Sequence, residues 1–259
     1  MSRARAVAIV ACVAAVLAAC GGTEVPRPSP PSTSSAPASP SPSPIPPVSP
    51  SSPPPSVEPT IRLPDDAPTA YAGDVPADAL PQQELVPPDA VVTASAGRVP
   101  GGDVLDGIAL AWARGDDPFA AERGVVVWQR FDDRPAWRVV YGFTDPASRG
   151  VFGIRLEAGD VTRDAVDDLL TFEETGGSGG CGTWRVVVSV AGGATEVWRL
   201  RTCDTQVRIA RGGIEVREAV FEPDDAHCCP SAYRLSRLAW NGEALEEVRS
   251  TVSPAPAAG

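Results

Sequence analysis

The sequence predicts a mainly β chain: a single antiparallel β domain of several hairpins, a sandwich or incomplete propeller-like arrangement, following a disordered Pro/Ser-rich linker. Three observations predict it. Apolar residues alternate with polar ones over most of residues 85–252, turn dipeptides separate the alternating runs, and residues 21–60 hold 15 Pro and 11 Ser. Period two with β-branched and aromatic residues marks half-buried strands.

The alternation is clearest at Trp137, Val139, Tyr141 and Phe143, expected on one face of a strand with Arg138 on the other. Phe152, Ile154 and Leu156 repeat it, as do Val125 with Val127 and Ile214 with Val216. Asp132-Asp133-Arg134-Pro135 reads as a turn between two runs, and Asn241-Gly242 as a hairpin turn between Trp240 and Leu245. Leu105–Ala113 is ambiguous: its alanines favour helix, but Ile108, Leu110 and Trp112 alternate.

Residues 181–203 are the best specified. Ala191-Gly192-Gly193 suits a three-residue hairpin loop with a left-handed glycine. That loop sets Trp184 opposite Leu200, Val186 opposite Trp198, and Cys181 opposite Cys203. The apolar pairs thus favour a Cys181–Cys203 disulfide. Cys228 and Cys229 remain, as a vicinal pair or as two thiols; crossed pairings stay open.

The Pro/Ser segment has too little apolar surface to offset the entropy of ordering. An extended Pro-rich chain of this length reaches on the order of 120 Å. The expected division is 1–19 targeting segment, 20–84 disordered linker, 85–252 β domain and 253–259 disordered tail. All 22 basic residues are Arg, and the formal charge is −11. Such a surface repels phosphate backbones, so nucleic acid is not an expected partner.

Arg3 and Arg5 precede Ala6–Ala19, an unbroken run of apolar and small residues too short to span a bilayer, which takes about 20 residues. The run ends Leu17-Ala18-Ala19-Cys20, which resembles the bacterial lipobox. The resemblance implies cleavage before Cys20, a diacylglycerol on its thiol and an acylated amino terminus. The expected location is the extracytoplasmic side of a cell membrane, within the cell envelope, an oxidising space that suits disulfides.

Three segments could carry chemistry. Residues 160–170, Asp-Val-Thr-Arg-Asp-Ala-Val-Asp-Asp-Leu-Leu, resemble the calcium loop of FG-GAP and VCBS repeats. The resemblance implies Ca²⁺ ligands at Asp160, Thr162, Asp164, the Val166 carbonyl and Asp168, although Ala165 replaces the turn glycine and Arg163 another small residue. Gly176-Gly177-Ser178-Gly179-Gly180 matches G-x-S-x-G, with His227 as the base and Asp204 as its partner in a secreted hydrolase. A strand rather than a helix follows, so a flexible glycine loop is the simpler reading. Asp225-Ala226-His227-Cys228-Cys229-Pro230-Ser231 could hold a metal or an activated thiolate, or form a disulfide-bonded turn.

Together, the Gly-Gly-Ser-Gly-Gly-Cys-Gly-Thr-Trp segment (176–184) and the His-Cys-Cys-Pro-Ser segment (227–231) resemble an uncharacterised family of actinobacterial lipoproteins and secreted proteins. The resemblance implies an extracytoplasmic place and brings no activity. The expectation is a non-catalytic envelope domain that binds an unknown ligand or protein. Alternatives are a hydrolase using Ser178 and His227, and a calcium-stabilised structural module.

Overall fold

The computed structural model describes residues 61–98, 104–132, 134–176, 180–190, 193–226 and 229–255. Cys20, the Pro/Ser segment to residue 60, Ser178, His227 and Cys228 lie outside the described residues.

Thirteen strands are described, all pairing antiparallel. Twelve of them form three consecutive four-stranded meanders. The first is β2 (Ala90–Arg98), β3 (Val104–Arg114), β4 (Glu122–Phe131) and β5 (Arg134–Asp145). A short strand, β1 (Ala70–Ala72), extends that sheet beside β5. The second meander is β6 (Gly153–Gly159), β7 (Asp168–Gly176), β8 (Cys181–Val190) and β9 (Gly193–Thr202). The third is β10 (Thr205–Ala210), β11 (Gly213–Val220), β12 (Ala232–Trp240) and β13 (Leu245–Pro254). First strands neighbour one another, β2 with β6 and β6 with β10, as in successive propeller blades.

The sheets stack because alternate side chains serve opposite faces. In β3, Ile108, Leu110 and Trp112 join one apolar cluster while Ala109 and Ala111 join another. In β8, Val187 packs against the first meander; Trp184, Val186 and Val188 pack toward the third. A strand covered on both faces needs a continuous apolar run, which explains Val186-Val187-Val188. The same need resolves Leu105–Ala113 as strand.

The expected boundary at residue 85 falls inside the fold. Leu63, Tyr71, Val75, Ala77, Leu80 and Leu85 cover the outer face of the first sheet, around Trp128 and Trp137. Trp128 Nε1 donates to the Leu85 carbonyl at 3.0 Å and Trp137 Nε1 to the Val75 carbonyl at 3.0 Å. At the other end, Ser253 and Pro254 still pair with Tyr233 and Ala232, so the strand outlasts the expected limit at 252.

Bulges correct two details. Trp137 and Val139 do not share a face with Tyr141 and Phe143: the register shifts against Val127/Trp128, sending the first pair outward and the second toward the middle sheet. One extra residue reverses every later side chain. In the 181–203 hairpin, Trp184 faces Leu200 and Val186 faces Trp198 as expected, and Cys181–Cys203 is a disulfide. Beyond them, however, Val190 pairs with Gly193, so the connection is one residue shorter than expected and a shift at Val186/Val187 absorbs the difference. Phe152 precedes β6 instead of joining it, and stacks edge-on with Phe119 at 5.3 Å.

Gly124 shows how closely the first sheet is packed. A Cβ there would lie 2.4 Å from the Phe143 carbonyl oxygen and 2.5 Å from the Trp112 ring. Neither neighbour can swing away, so Gly124→Ala should cost about 1–3 kcal/mol in chemical denaturation; an unchanged midpoint would show that this interface yields easily.

Candidate functional site

Two places gather polar side chains within the packed structure. One is enclosed. On the face that β7, β8 and β9 turn toward the first meander, Arg185 forks onto Glu173, with Nη2 to Oε2 at 3.0 Å and Nε to Oε1. Its Nη1 reaches Glu196 Oε2 at 3.0 Å, which also accepts from the Tyr141 hydroxyl at 3.0 Å. Arg199 Nε lies 2.7 Å from Glu196 Oε1, and Arg149 pairs with buried Asp145. The Arg185 guanidinium also lies over the Phe143 ring, 4.5 Å from its centroid.

Burial pushes Glu173 up to about 7 against the pull of the Arg185 fork, and the nearby Asp145 carboxylate adds to the rise. Glu196 is instead held low, because Arg199 and Arg185 together outweigh its desolvation. Glu173 is only 1% exposed, and no ligand could reach it in this conformation. The cluster therefore joins the first two meanders rather than doing chemistry.

It has a consequence for stability. A carboxyl whose folded pKa is raised favours folding while protonated. Its contribution is complete below about 4.5 and disappears as pH rises through about 7. The melting temperature should fall between about pH 5 and about pH 8, by on the order of 5 °C, and Glu173→Gln should flatten that slope. A melting temperature that rises across this window in the unaltered chain would contradict the assignment.

The other place is open. The second and third meanders meet through Leu170, Phe172, Trp184, Val186 and Val188 against Val207, Ile214 and Val216. Beside this contact is a groove of about 1060 Å³. Pairing sets its lining in rows: Arg155 opposite Phe172 and Phe172 opposite Trp184 in the second sheet, and, on the face of the third sheet turned away from Ile214 and Val216, Gln206 opposite Arg217 and Arg217 opposite Leu235.

Both arginines lie over aromatic rings. Arg155 is 4.6 Å from the Phe172 centroid and 5.7 Å from that of Trp184; Arg217 is 3.5 Å from that of Tyr233. A third groove arginine, Arg208, is paired with Glu215, its Nε 2.7 Å from Oε2. Arg155, Arg217, Glu174, Asp204 and Gln206 also line the groove, and their side chains make no hydrogen bond or ion pair among the described residues.

The rim is rigid. The Cys181–Cys203 disulfide closes the β8–β9 hairpin, and its neighbours Gly180 and Asp204 both line the groove in left-handed conformations, φ 56° and 50°. Pro230 lines the opposite side, on a loop held by Asp225. That carboxylate accepts from the Glu222 amide at 2.7 Å, the Ser231 amide at 2.8 Å and the Ser231 hydroxyl at 2.7 Å. The Ser231 hydroxyl does most to hold Asp225 below the usual carboxylate range. Cys229 is exposed beside Pro230.

The structure thus brings the described ends of two sequence motifs, Gly180 and Pro230, to one groove. It does not bring the Asp160 loop there. That loop joins β6 to β7 and rests on the β10–β11 turn, with Arg163 Nη2 3.5 Å from the Arg211 carbonyl.

The carboxylates of this loop bond to its own backbone. Asp168 is fully buried, and its Oδ2 accepts from the Val161 amide at 2.9 Å and from the Thr162 amide and hydroxyl at 3.0 and 3.1 Å; its Oδ1 accepts from the Ser189 amide at 2.9 Å. Asp160 accepts from the Arg163 and Ala165 amides, and Asp164 from the Val166 amide. Among the described residues no three acidic, His or Cys side chains could hold a metal. Arg163 and Ala165 nevertheless adopt φ of 67° and 65°, left-handed conformations that favour glycine. The carboxylates thus satisfy the turn's own amides.

Sequence reasoning missed the groove arginines, and named Asp225 only as part of the segment that ends at Ser231. The alternation that places them was visible; the packing of β6–β8 against β10–β12 was not. Comparisons with protein-family models, curated proteins and solved structures give no match for this chain.

Proposed function

We propose that this chain is a lipid-anchored cell-envelope protein whose extracytoplasmic β domain is a non-catalytic binding module, with the groove between the second and third meanders as its binding site. One observation carries the binding reading: Arg155 and Arg217 line a single groove, each laid on an aromatic ring and neither paired with an acid among the described residues. A guanidinium held against a ring has fewer orientations to lose, so a ligand that bonds to it incurs less entropic cost. Arginines that served stability alone would be expected to pair as Arg208 does with Glu215.

The anchor is supported by sequence: Arg3 and Arg5, the apolar run Ala6–Ala19, and Cys20 directly after two alanines. Among the described residues no helix is long and apolar enough to cross a membrane, and in this reading lipid holds the protein. The Pro/Ser segment then spaces the domain from the bilayer. The acidic surface disfavours nucleic acid as the partner.

One observation favours a second reading, a secreted hydrolase. Gly180 and Pro230, close in sequence to Ser178 and His227, line the same groove.

Two measurements test the proposal. Metabolic labelling with an alkyne fatty acid should tag the protein, and Cys20→Ser should abolish the label and release the chain to the soluble fraction; a Cys20→Ser chain that stays membrane-bound contradicts the anchor. The mature chain should sediment with isolated cell envelope, with Arg155→Glu plus Arg217→Glu lowering the bound fraction about tenfold and Ser178→Ala leaving it unchanged. A turnover activity lost in Ser178→Ala would establish the hydrolase instead.

A further inference from the structure

We infer that the groove takes a saccharide, an oligomer of neutral sugars rather than a polyanion or a charged peptide. This rests on the binding reading above and names the ligand class for the same site.

Charge balance is the first argument. With Arg208 occupied by Glu215, the charged groups that are unpaired among the described residues are two cations, Arg155 and Arg217, and two anions, Glu174 and Asp204. A polyanion drawn to the arginines meets both carboxylates, and a polycation meets both guanidiniums. A sugar hydroxyl donates and accepts at once, so it can satisfy all four groups and the amide of Gln206. Like-charge contacts would oppose the other two classes.

Geometry is the second. The ring contacts limit the freedom of both guanidiniums, whose N–H groups make no hydrogen bond among the described residues. Adjacent sugar oxygens can accept from such a fork as the two oxygens of a carboxylate do. The same walls carry apolar surface for the C–H faces of sugar rings: Tyr233, with Phe221 and Leu235 at 37% and 44% exposure. Trp184, also lining the groove and more than nine-tenths buried, keeps an indole N–H that has no partner among the described residues.

Size is the third. A volume of about 1060 Å³ is at the upper end for small-ligand sites and suits several linked rings better than one. The disulfide and the Asp225-held loop fix the two rims, and a stiff ligand binds best to walls that need no ordering.

The test uses the mature full-length chain in isothermal titration against cellohexaose, maltohexaose, chitohexaose and linear arabinohexaose, with hexaglutamate and hexaarginine peptides alongside. At least one sugar should bind saturably, with affinity changing less than about twofold on raising salt, since no net charge is neutralised. Arg217→Ala, Arg217→Lys and Tyr233→Ala should each weaken it at least about tenfold while melting temperature and circular dichroism hold. Arg155→Ala provides an independent variant on the opposite wall. If no sugar binds, the inference is overturned. If a charged peptide binds instead and Arg217→Ala abolishes it, the groove stands as a site and the saccharide falls. If a sugar binds but every wall variant leaves it unchanged, the groove is not the site and both readings fall.

Discussion

The structure depends on burying the middle sheet on both faces. Its four strands separate two apolar clusters, one shared with the first meander and one with the third. Neither outer sheet could supply that burial alone. The side facing the first meander adds Arg185, forked to Glu173 and bonded to Glu196, with Tyr141 reaching across from β5. A buried ion pair of this kind is weak evidence for net stability but strong evidence for register, because displacing one partner strands a charge. The first two meanders are therefore fixed relative to each other by geometry as well as by area.

The two outer sheets solve their exposed faces differently. The first is covered by residues 63–86, which place Leu63, Leu80, Leu85 and Val86 over its tryptophans. Among the described residues the third has no such cover. Its last strand exposes every residue after Leu245, including Val248 and Val252 at 62% and 60%. The groove belongs to this less covered half, where β10–β12 meet β6–β8. Arg155 stacks on rings that the fold itself requires, since Phe172 and Trp184 belong to the apolar contact between the meanders, while Arg217 lies over Tyr233.

Much of the fold was legible in local pattern. The 181–203 hairpin could be registered from Trp184, Val186, Trp198 and Leu200 before its cysteines were considered, and the disulfide followed. What failed were features with no local cost in sequence. A bulge opposite Val127/Trp128 separates Trp137 from Tyr141, and alternation alone carries no sign of it. Residues 61–84 have a linker-like composition, yet a few apolar anchors tie them down. In the Asp160 loop, aspartates that cap a turn's amides share the spacing of aspartates that hold an ion, so spacing alone does not separate the two. The groove was the least legible part. It is assembled from residues 155 to 235, and an arginine beside an aromatic in a strand looks the same whether it faces solvent or a ligand.

The central claim is that contacts with the cell envelope are made by this groove and not by the far loops. Hydrogen–deuterium exchange of the mature chain, with and without isolated envelope polymer, tests it directly. The account predicts protection confined to segments around residues 153–157, 172–176, 180–184, 204–221 and 230–235. Protection at the Asp160 loop and the Arg211–Gly212 turn, with the groove strands unchanged, would contradict it.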